Sequence, residues 1–297
     1  MLRNVFRVMV GVVTVLSVFV AASHVVRAGP NDVFLPLVTK GGCGGVGGSY
    51  SQGLAVQFDQ DNPVRPARNH AGKNFDLRGY AQRTTGFTTS LVDYGPGSED
   101  SNAPQFSTLF SPARISLSGR FFQMYDWNYS SPPDPNNPGT RGPLLTNRPI
   151  TALGLSTTSG ERLYTPASPL RINPGVQAMV IWADANSISI KYTREDTSAT
   201  GYTVYVDNIC TDPNLLALYN SLDGGNRNVF SGVGTETYNL LYLAPGQAFG
   251  TATSNEIVVA IVDTGAFEDP RSCRGWWPNW NTFPGVVCPA ANGGLNY

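Results

Sequence analysis

From residue 50 onward, short apolar runs alternate with Gly, Pro and Asn. Runs of this length that are rich in Val, Ile, Thr and Tyr are typical of β-strands. The run at 187–192 alternates strictly between polar and apolar residues, which predicts a half-buried strand, whereas the wholly apolar run at 257–262 predicts a central one. We predict strands at residues 54–58, 86–93, 120–129, 177–183, 187–192, 202–206 and 256–263.

One segment, residues 212–224, has helical spacing instead, because its leucines and one tyrosine recur on a single helix face. Asp212 is a typical N-cap residue, Pro213 fits the first helical turn and Gly224 fits the exit. The Pro-rich run at 131–139 predicts a long surface loop. We therefore predict one helix in an otherwise mainly β chain.

The first 28 residues have the pattern of a secretory signal peptide. Arg3 and Arg7 precede an apolar run at residues 8–22, and small residues follow it. We expect cleavage after Ala28, or earlier after Ala22. An uncleaved membrane anchor is the alternative, although the run is shorter than the roughly 20 apolar residues of a spanning helix. Only through this segment would the chain contact a membrane.

The remaining chain divides into four parts. Residues 29–49 combine an apolar segment with a Gly-rich stretch that predicts a flexible tether. Two β-rich regions follow, at 50–170 and 171–270, with a soft boundary among the prolines near residue 170. Residues 271–297 form a tail rich in Trp and Cys. The predicted fold class is mainly β, with a signal peptide followed by two β subregions.

Composition excludes some classes of function. The chain has 297 residues, with 20 basic and 21 acidic side chains. A net charge near zero offers no basic surface to phosphate backbones, so we predict no nucleic-acid partner. Charged residues make up only 14% of the chain and aromatic residues 11%, which argues against disorder.

The four cysteines lie beyond the predicted signal peptide, in a compartment where disulfides persist. Three pairings are possible, and spacing alone does not choose among them. We favour Cys273 with Cys288, which closes a Trp-rich loop, and Cys43 with Cys210. No Cys-x-x-Cys spacing occurs, which disfavours zinc ribbons and thioredoxin-type chemistry.

Four segments between residues 175 and 270 follow one another in a suggestive order. They are residues 185–192, residues 201–206, the turn Ala-Pro-Gly-Gln-Ala-Phe-Gly at 244–250, and the run at 256–262 with a following Glu-Asp-Pro. This order resembles the β core of lysostaphin-type (M23) peptidoglycan endopeptidases. The resemblance covers about a third of the chain, and it implies a lipoyl-like β core at 171–270 with the helix as an insertion.

The same resemblance implies a lost metal site. The family carries His-x-His zinc ligands on its last long strand, where this chain has Glu-Ile-Val-Val-Ala-Ile at 256–261. The chain has two histidines, His24 and His70, and His24 leaves with the signal peptide. Catalytic zinc needs three protein ligands. We therefore predict no metal, no cofactor and no M23-type catalysis, with the β core kept as a scaffold.

Other catalytic groups have weak support in the sequence. A Ser-His-Asp triad would need His70, which we interpret as a polar loop residue, and no Gly-x-Ser-x-Gly motif accompanies it. The run at 59–62 lacks the later Gly and Glu of a calcium loop. No catalytic residue is assigned. Glycosidases bring carboxylates together from distant strands, and the candidates by residue type are Asp126, Asp184, Glu195, Asp196 and Glu256.

Three tryptophans between the last two cysteines, Trp276, Trp277 and Trp280, are the candidate binding residues. Indole faces stack on sugar rings or bury against a partner. The alternative is a disulfide-closed flap that covers the β core.

Together these features predict a secreted, non-catalytic protein of the cell envelope or surface that binds polysaccharide or another protein. The alternatives are a cell-wall hydrolase that uses carboxylates or an unrecognised site, and a structural coat component, which low charge and high Gly, Thr and Ser content would suit. An enzyme is thus the less favoured class.

Overall fold

A computed structural model describes residues 43–57, 65–95, 100–132, 134, 136–222, 236–277 and 288. All of them belong to one compact unit, Lys40–Tyr297, and the other unit, Met1–Thr39, lies outside the described residues. Three predicted features also lie outside the described residues: the signal peptide, the acidic run at 59–62 and Trp280.

The described chain is mainly β, as the sequence predicts. The helices are α1 (Phe75–Arg78) and α2 (Pro213–Ser221), with 3₁₀ turns at Ala67–Asn69 and Phe106–Leu109. The strands are β1 (Ser51–Gln57), β2 (Tyr80–Arg83), β3 (Leu117–Asn128), β4 (Thr140–Leu144), β5 (Ala152–Ser156), β6 (Arg162–Tyr164), β7 (Ala178–Ala183), β8 (Ser187–Lys191), β9 (Tyr202–Asp207), β10 (Ile209–Thr211), β11 (Glu236–Leu243), β12 (Ala248–Ala252), β13 (Glu256–Asp263) and β14 (Ala266–Phe267).

A large antiparallel sheet organises the described residues. Its strands run in the order β1-β11-β7-β8-β9-β13-β5-β3-β2, with β14 paired to β13 and β4 paired to β3. β13 lies between β9 and β5, which confirms the predicted central position of the run at 257–262. β5 precedes residue 170 in the chain and β13 follows it, and the two strands pair directly. One sheet thus contains strands from both sides of the predicted boundary.

One face of this sheet, the inner face, packs on a small sheet of order β10-β12-β6, on α2 and on the 3₁₀ turn Phe106–Leu109. Alternate residues of the central strands enter this core, as a period of two requires. They include Val180, Ile188, Ile190, Val204, Val206, Ile257, Val259 and Ile261, which pack with Phe106, Leu215, Tyr219 and Phe249.

The opposite, outer face is also covered, which corrects the prediction for β8. Ser187, Ser189 and Lys191 are as buried as the apolar residues between them. The covering segment is residues 65–79, because Ser189 Oγ donates to the carbonyl of Lys73 at 2.5 Å and Tyr205 Oη donates to that of Gly72 at 2.7 Å. The polar side of this strand is therefore buried beneath protein, with a backbone carbonyl facing Ser189.

The predicted strand at 86–93 is wrong. Only Val92 of this run has a bridge, an isolated one to Ser272. Val92 N–H donates to the Arg271 carbonyl, and Val92 accepts from Cys273 N–H. Residues far along the chain therefore satisfy this backbone in place of a neighbouring strand.

The predicted helix is confirmed as α2, and its cap is Asp212. One carboxylate oxygen of Asp212 accepts from Asn214 and Leu215 N–H, and the other accepts from Val46 and Gly47 N–H at 2.6 and 3.0 Å. From residue 43, the Gly-rich stretch is thus bonded to the start of α2. The prediction of a flexible tether is therefore wrong from residue 43 onward. The buried Asp212 carboxylate accepts hydrogen bonds from N–H groups that the small glycine residues leave accessible.

Both favoured disulfides, Cys43–Cys210 and Cys273–Cys288, are present. The Cα atoms of the two pairs are 5.3 and 6.0 Å apart, within the ordinary range. Disulfides persist outside the reducing cytosol, so they indicate a non-cytoplasmic protein. Among the described residues, no helix has the length and apolar character needed to cross a membrane.

Candidate carboxylate site

The predicted aromatic site is buried where the structure describes it. Trp276 is 7% exposed and Trp277 is 1% exposed. Their indole N–H groups donate to the carbonyls of Asp269 and Pro270 at 2.8 and 2.9 Å, and both rings belong to the inner core. Neither ring offers an open face to a sugar, which favours the alternative of a segment that covers the core.

The five carboxylate candidates have very different surroundings. Asp126 is exposed on the β3–β4 hairpin, and Glu195 lies beside β1, where its residue bridges Val56. Asp196 is buried and pairs with Lys73 Nζ at 3.0 Å. Asp184 and Glu256 lie elsewhere, at one edge of the outer face, and two residues that the sequence analysis missed accompany them.

These four acidic residues form what we call the carboxylate cluster: Asp76 on α1, Asp184 in the β7–β8 turn, Asp207 at the end of β9 and Glu256 at the start of β13. Tyr80 lies among them, since its hydroxyl donates to Asp207 Oδ2 at 2.6 Å. Burial raises the Tyr80 pKa, and the charges of Asp207, Asp76 and Glu256 raise it further.

Antiparallel pairing explains why three of these residues meet. β7 and β9 end at the edge of the sheet where β8 and β13 begin. Asp207 therefore lies directly opposite Ser187 on one side and Val258 on the other. These carboxylates lie close together because the strand ends meet at one edge of the sheet, and not because they are neighbours in the sequence.

Local hydrogen bonds orient two of the carboxylates. Asp184 Oδ1 accepts from the N–H groups of Asn186 and Ser187 at 2.7 and 2.8 Å, which closes the two-residue β7–β8 turn. Asp207 Oδ1 accepts from Asn208 N–H at 2.6 Å, and Asn208 has a left-handed φ of 63° that Asn tolerates well. The second oxygen of Asp207 accepts from the Tyr80 hydroxyl, so this carboxylate is held from both sides.

Asp76 is placed by the short helix α1. Asn74 caps this helix by accepting from Leu77 N–H at 3.0 Å. The buried ring of Phe75 packs between the rings of Tyr80 and Tyr205, each at a centroid distance of 5.3 Å. Asp76 follows and keeps part of its side chain exposed. Loss of water around the carboxyl group, and then the charges of Asp207 and Asp184, raise its pKa to about 7.

At neutral pH Asp76 is thus partly protonated, whereas an ordinary aspartate is ionised. A hydrogen bond between Asp76 and Asp184 contributes to the raised Asp76 pKa, which is typical of two carboxyl groups that share a proton. Burial also raises the Asp207 pKa, although the Tyr80 hydrogen bond opposes this effect. Asp76 therefore supplies the cluster with a carboxyl group that exchanges its proton near neutral pH.

Glu256 is fixed at the margin of the cluster. Its oxygens accept from Arg120 at 2.8 Å and from Ser118 Oγ at 2.5 Å. A side chain at position 154 would overlap Glu256 Oε2 and Ser118 Oγ, so Gly154 is what allows the glutamate to lie over β5.

The chemistry of the cluster is proton exchange and hydrogen-bond acceptance. Among the described residues, the metal-ligand grouping is a different one, Asp93 with Cys273 and Cys288. The disulfide between these cysteines leaves no thiolate for a metal.

Part of the site had a signal in the sequence. Asp184 and Asp207 each come directly after a predicted strand, and Glu256 begins another. Neighbouring antiparallel strands bring the end of one strand next to the start of the other. This rule would have grouped Asp184, Asp207 and Glu256 from the sequence alone. Asp76 had no comparable signal, because its position depends on the fold of residues 65–79 over the sheet.

No protein-family model, no curated protein and no solved structure matches this chain.

Proposed function

We propose that the protein is secreted through its N-terminal signal peptide and binds polysaccharide at the cell envelope or surface, with the carboxylate cluster as its contact surface. The observation that carries the proposal is the convergence of four carboxylates and Tyr80 at one edge of the outer face. The two disulfides support a function outside the cytoplasm.

Polyhydroxylated chains suit such a surface chemically. Each ionised carboxylate accepts hydrogen bonds through two oxygens and donates none, so sugar hydroxyls are matching donors. Hydrogen bonds to an ionised acceptor are roughly twice as strong as neutral ones. The oriented oxygens of Asp184 and Asp207 need no rearrangement before they bind, which lowers the entropic cost.

A partly exposed aromatic side chain lies on the β3–β4 hairpin, which contacts the end of α1. Arg78 at the end of α1 donates through Nε to the Tyr125 carbonyl at 2.8 Å. Trp127, two residues further along β3, is half-buried, and its indole N–H donates to the Pro138 carbonyl at 2.7 Å. A fixed, half-open indole is a suitable partner for the apolar face of a sugar. A lysostaphin-type core without zinc would suit this role as a rigid scaffold.

Retention on insoluble peptidoglycan, chitin and β-glucan tests the proposal, with the disulfide-bonded protein compared with Asp207→Asn and the control Asp126→Asn. Asp126 carries the same charge outside the cluster. We expect one of these polymers to retain the protein, and Asp207→Asn to weaken binding about 10-fold or more, since a hydrogen bond to a charged group contributes about 1.5 to 3 kcal/mol. Retention by none of the polymers, or equal weakening by both variants, would contradict it.

Hydrolysis is the second candidate, and the proton on Asp76 favours it. A protonated carboxyl group beside ionised ones is the arrangement of glycosidases, in which one acid protonates the leaving oxygen and the other acts as base or nucleophile. If the retained polymer is cleaved, new reducing ends will accumulate, and Asp76→Asn will stop their release while binding persists. Absence of reducing ends from the wild-type protein excludes this candidate and leaves the binding proposal intact.

A further inference from the structure

Four buried polar atoms belong to the loop that joins β8 to β9, residues 192–201, and to the strand residues next to it. They are Lys191 Nζ and the hydroxyl oxygens of Thr193, Thr200 and Thr203, and within the described residues none has a hydrogen-bond partner. Lys191 and Thr203 are both 0% exposed. Buried polar groups are almost always paired, so such a group of unpaired atoms indicates a missing occupant.

The strand register and the surroundings of Gly201 place three of these side chains together, those of Lys191, Thr193 and Thr203. Lys191 lies opposite Thr203. The next pair, Tyr192 with Tyr202, is a hydrogen-bonded pair, because Tyr192 N–H donates to the Tyr202 carbonyl. Lys191 and Thr203 thus form a closely spaced pair with both side chains on the outer face. A Cβ atom on Gly201 would lie 3.8 Å from Lys191 Nζ and 3.7 Å from Thr193 Oγ1, so these two atoms face the same space.

Two of the carboxylates around Lys191 have other hydrogen-bond partners. Asp196 accepts from Lys73 Nζ at 3.0 Å and from the Tyr238 hydroxyl, and Asp263 accepts from Thr264 Oγ1 at 2.9 Å. The charges of Glu195, Asp196 and Asp263 act on Lys191 from a distance, but desolvation outweighs them and lowers its pKa to about 8. At neutral pH most Lys191 side chains still carry a proton, and the described residues give this ammonium no acceptor.

We propose that Lys191 and the hydroxyls of Thr193 and Thr203 form a buried binding site for one chloride ion. Lysine only donates hydrogen bonds and each threonine hydroxyl is able to donate, so a monatomic acceptor satisfies these three groups at once. A bound cation would repel Lys191. Water would accept the hydrogen bonds but would bring no counter-charge to the buried ammonium.

Such an ion would connect the loop to the sheet. Residues 192–201 contact the covering segment through Asp196 and Lys73, and they contact the β13–β14 turn through the Ser198 carbonyl, which accepts from Gly265 N–H. Chloride beneath this loop would therefore stabilise the outer layer in a halide-dependent manner. This inference is independent of the polysaccharide proposal, because it concerns different residues.

Crystals of the wild-type protein grown in bromide locate the ion directly. We expect an anomalous difference peak within hydrogen-bonding distance of Lys191 Nζ and of the threonine hydroxyls. Water density at this position without an anomalous peak would overturn the proposal.

Melting temperatures at constant ionic strength test the site in solution, with gluconate exchanged for chloride. Binding to the native state should raise the melting temperature by about 3–5 °C for each tenfold rise in chloride above the dissociation constant. Lys191→Met should lose this dependence and Thr203→Val should reduce it. Thr211→Val is the matched control, because Thr211 is a buried, unpaired threonine on another strand. A bromide peak without any chloride dependence in solution, or the same dependence in Lys191→Met, would overturn the proposal.

Discussion

At the scale of single residues, acidic side chains of the same type have opposite surroundings. Asp126 and Asp196 were equal candidates by residue type, yet one is exposed on a hairpin and the other is buried against Lys73. Asp76 combines partial exposure with a pKa raised to about 7. The protonation of each carboxyl group depends on residues brought near it by the fold, so residue type alone could not rank them.

Asp76→Asn should change how stability depends on pH. Between its ordinary pKa of 3.8 and its folded value of about 7, Asp76 is protonated in the folded state and ionised in the unfolded state. Wild-type stability therefore decreases as pH rises through this interval and levels off above it. Asn does not ionise, so the melting temperature of the variant relative to wild type should rise from pH 4 to pH 7. A difference that is constant across this range, as expected for Asp126→Asn, would contradict the shifted pKa.

Trp277→Ala should destabilise the protein strongly. Trp277 is 1% exposed within the inner core, and removal of a buried tryptophan typically costs about 3–5 kcal/mol. Urea unfolding at equilibrium measures the change, with the half-buried Trp127→Ala as a comparison that should cost less. A loss below about 1 kcal/mol for Trp277→Ala would mean that the ring does not contribute to this core.

At the scale of elements, apolar periodicity predicted most strands but not what covers them. Six predicted runs coincide with β1, β3, β7, β8, β9 and β13, and the helix coincides with α2. Alternation along β8 correctly indicated two different faces, but a period of two does not distinguish water from a polar segment such as residues 65–79. The run at 86–93 failed because its partners, Arg271 and Cys273, are about 180 residues away.

Asp212 should be among the most sensitive positions for α2. It caps the helix and also accepts from Val46 and Gly47 N–H, so Asp212→Ala removes both sets of hydrogen bonds. We expect a loss of about 2–4 kcal/mol, since a cap contributes about 0.5–2 kcal/mol and buried bonds to a carboxylate add to it. Asp212→Asn keeps one acceptor oxygen and should lose less. Equal losses in urea unfolding of the two variants would show that the carboxylate charge, and not the cap, dominates.

At the scale of the whole molecule, one antiparallel sheet brings together residues from most of the described chain. The sequence indicated strand ends that carry Asp184, Asp207 and Glu256, so three members of the carboxylate cluster were accessible to prediction. The strand order was not, because pairing between β5 and β13 joins segments about 100 residues apart. The disulfide pairs were predictable only as a preference, since spacing permits three pairings.

Labelling of carboxyl groups with a carbodiimide and an amine, read by mass spectrometry, tests the central claim most directly. The comparison is between free protein and protein bound to the polymer that retains it. The account predicts that bound polysaccharide protects Asp76, Asp184 and Asp207 from labelling, while exposed Asp126 reacts equally in both samples. Unchanged labelling of the three cluster residues in the bound protein would contradict the assignment of the carboxylate cluster as the binding surface.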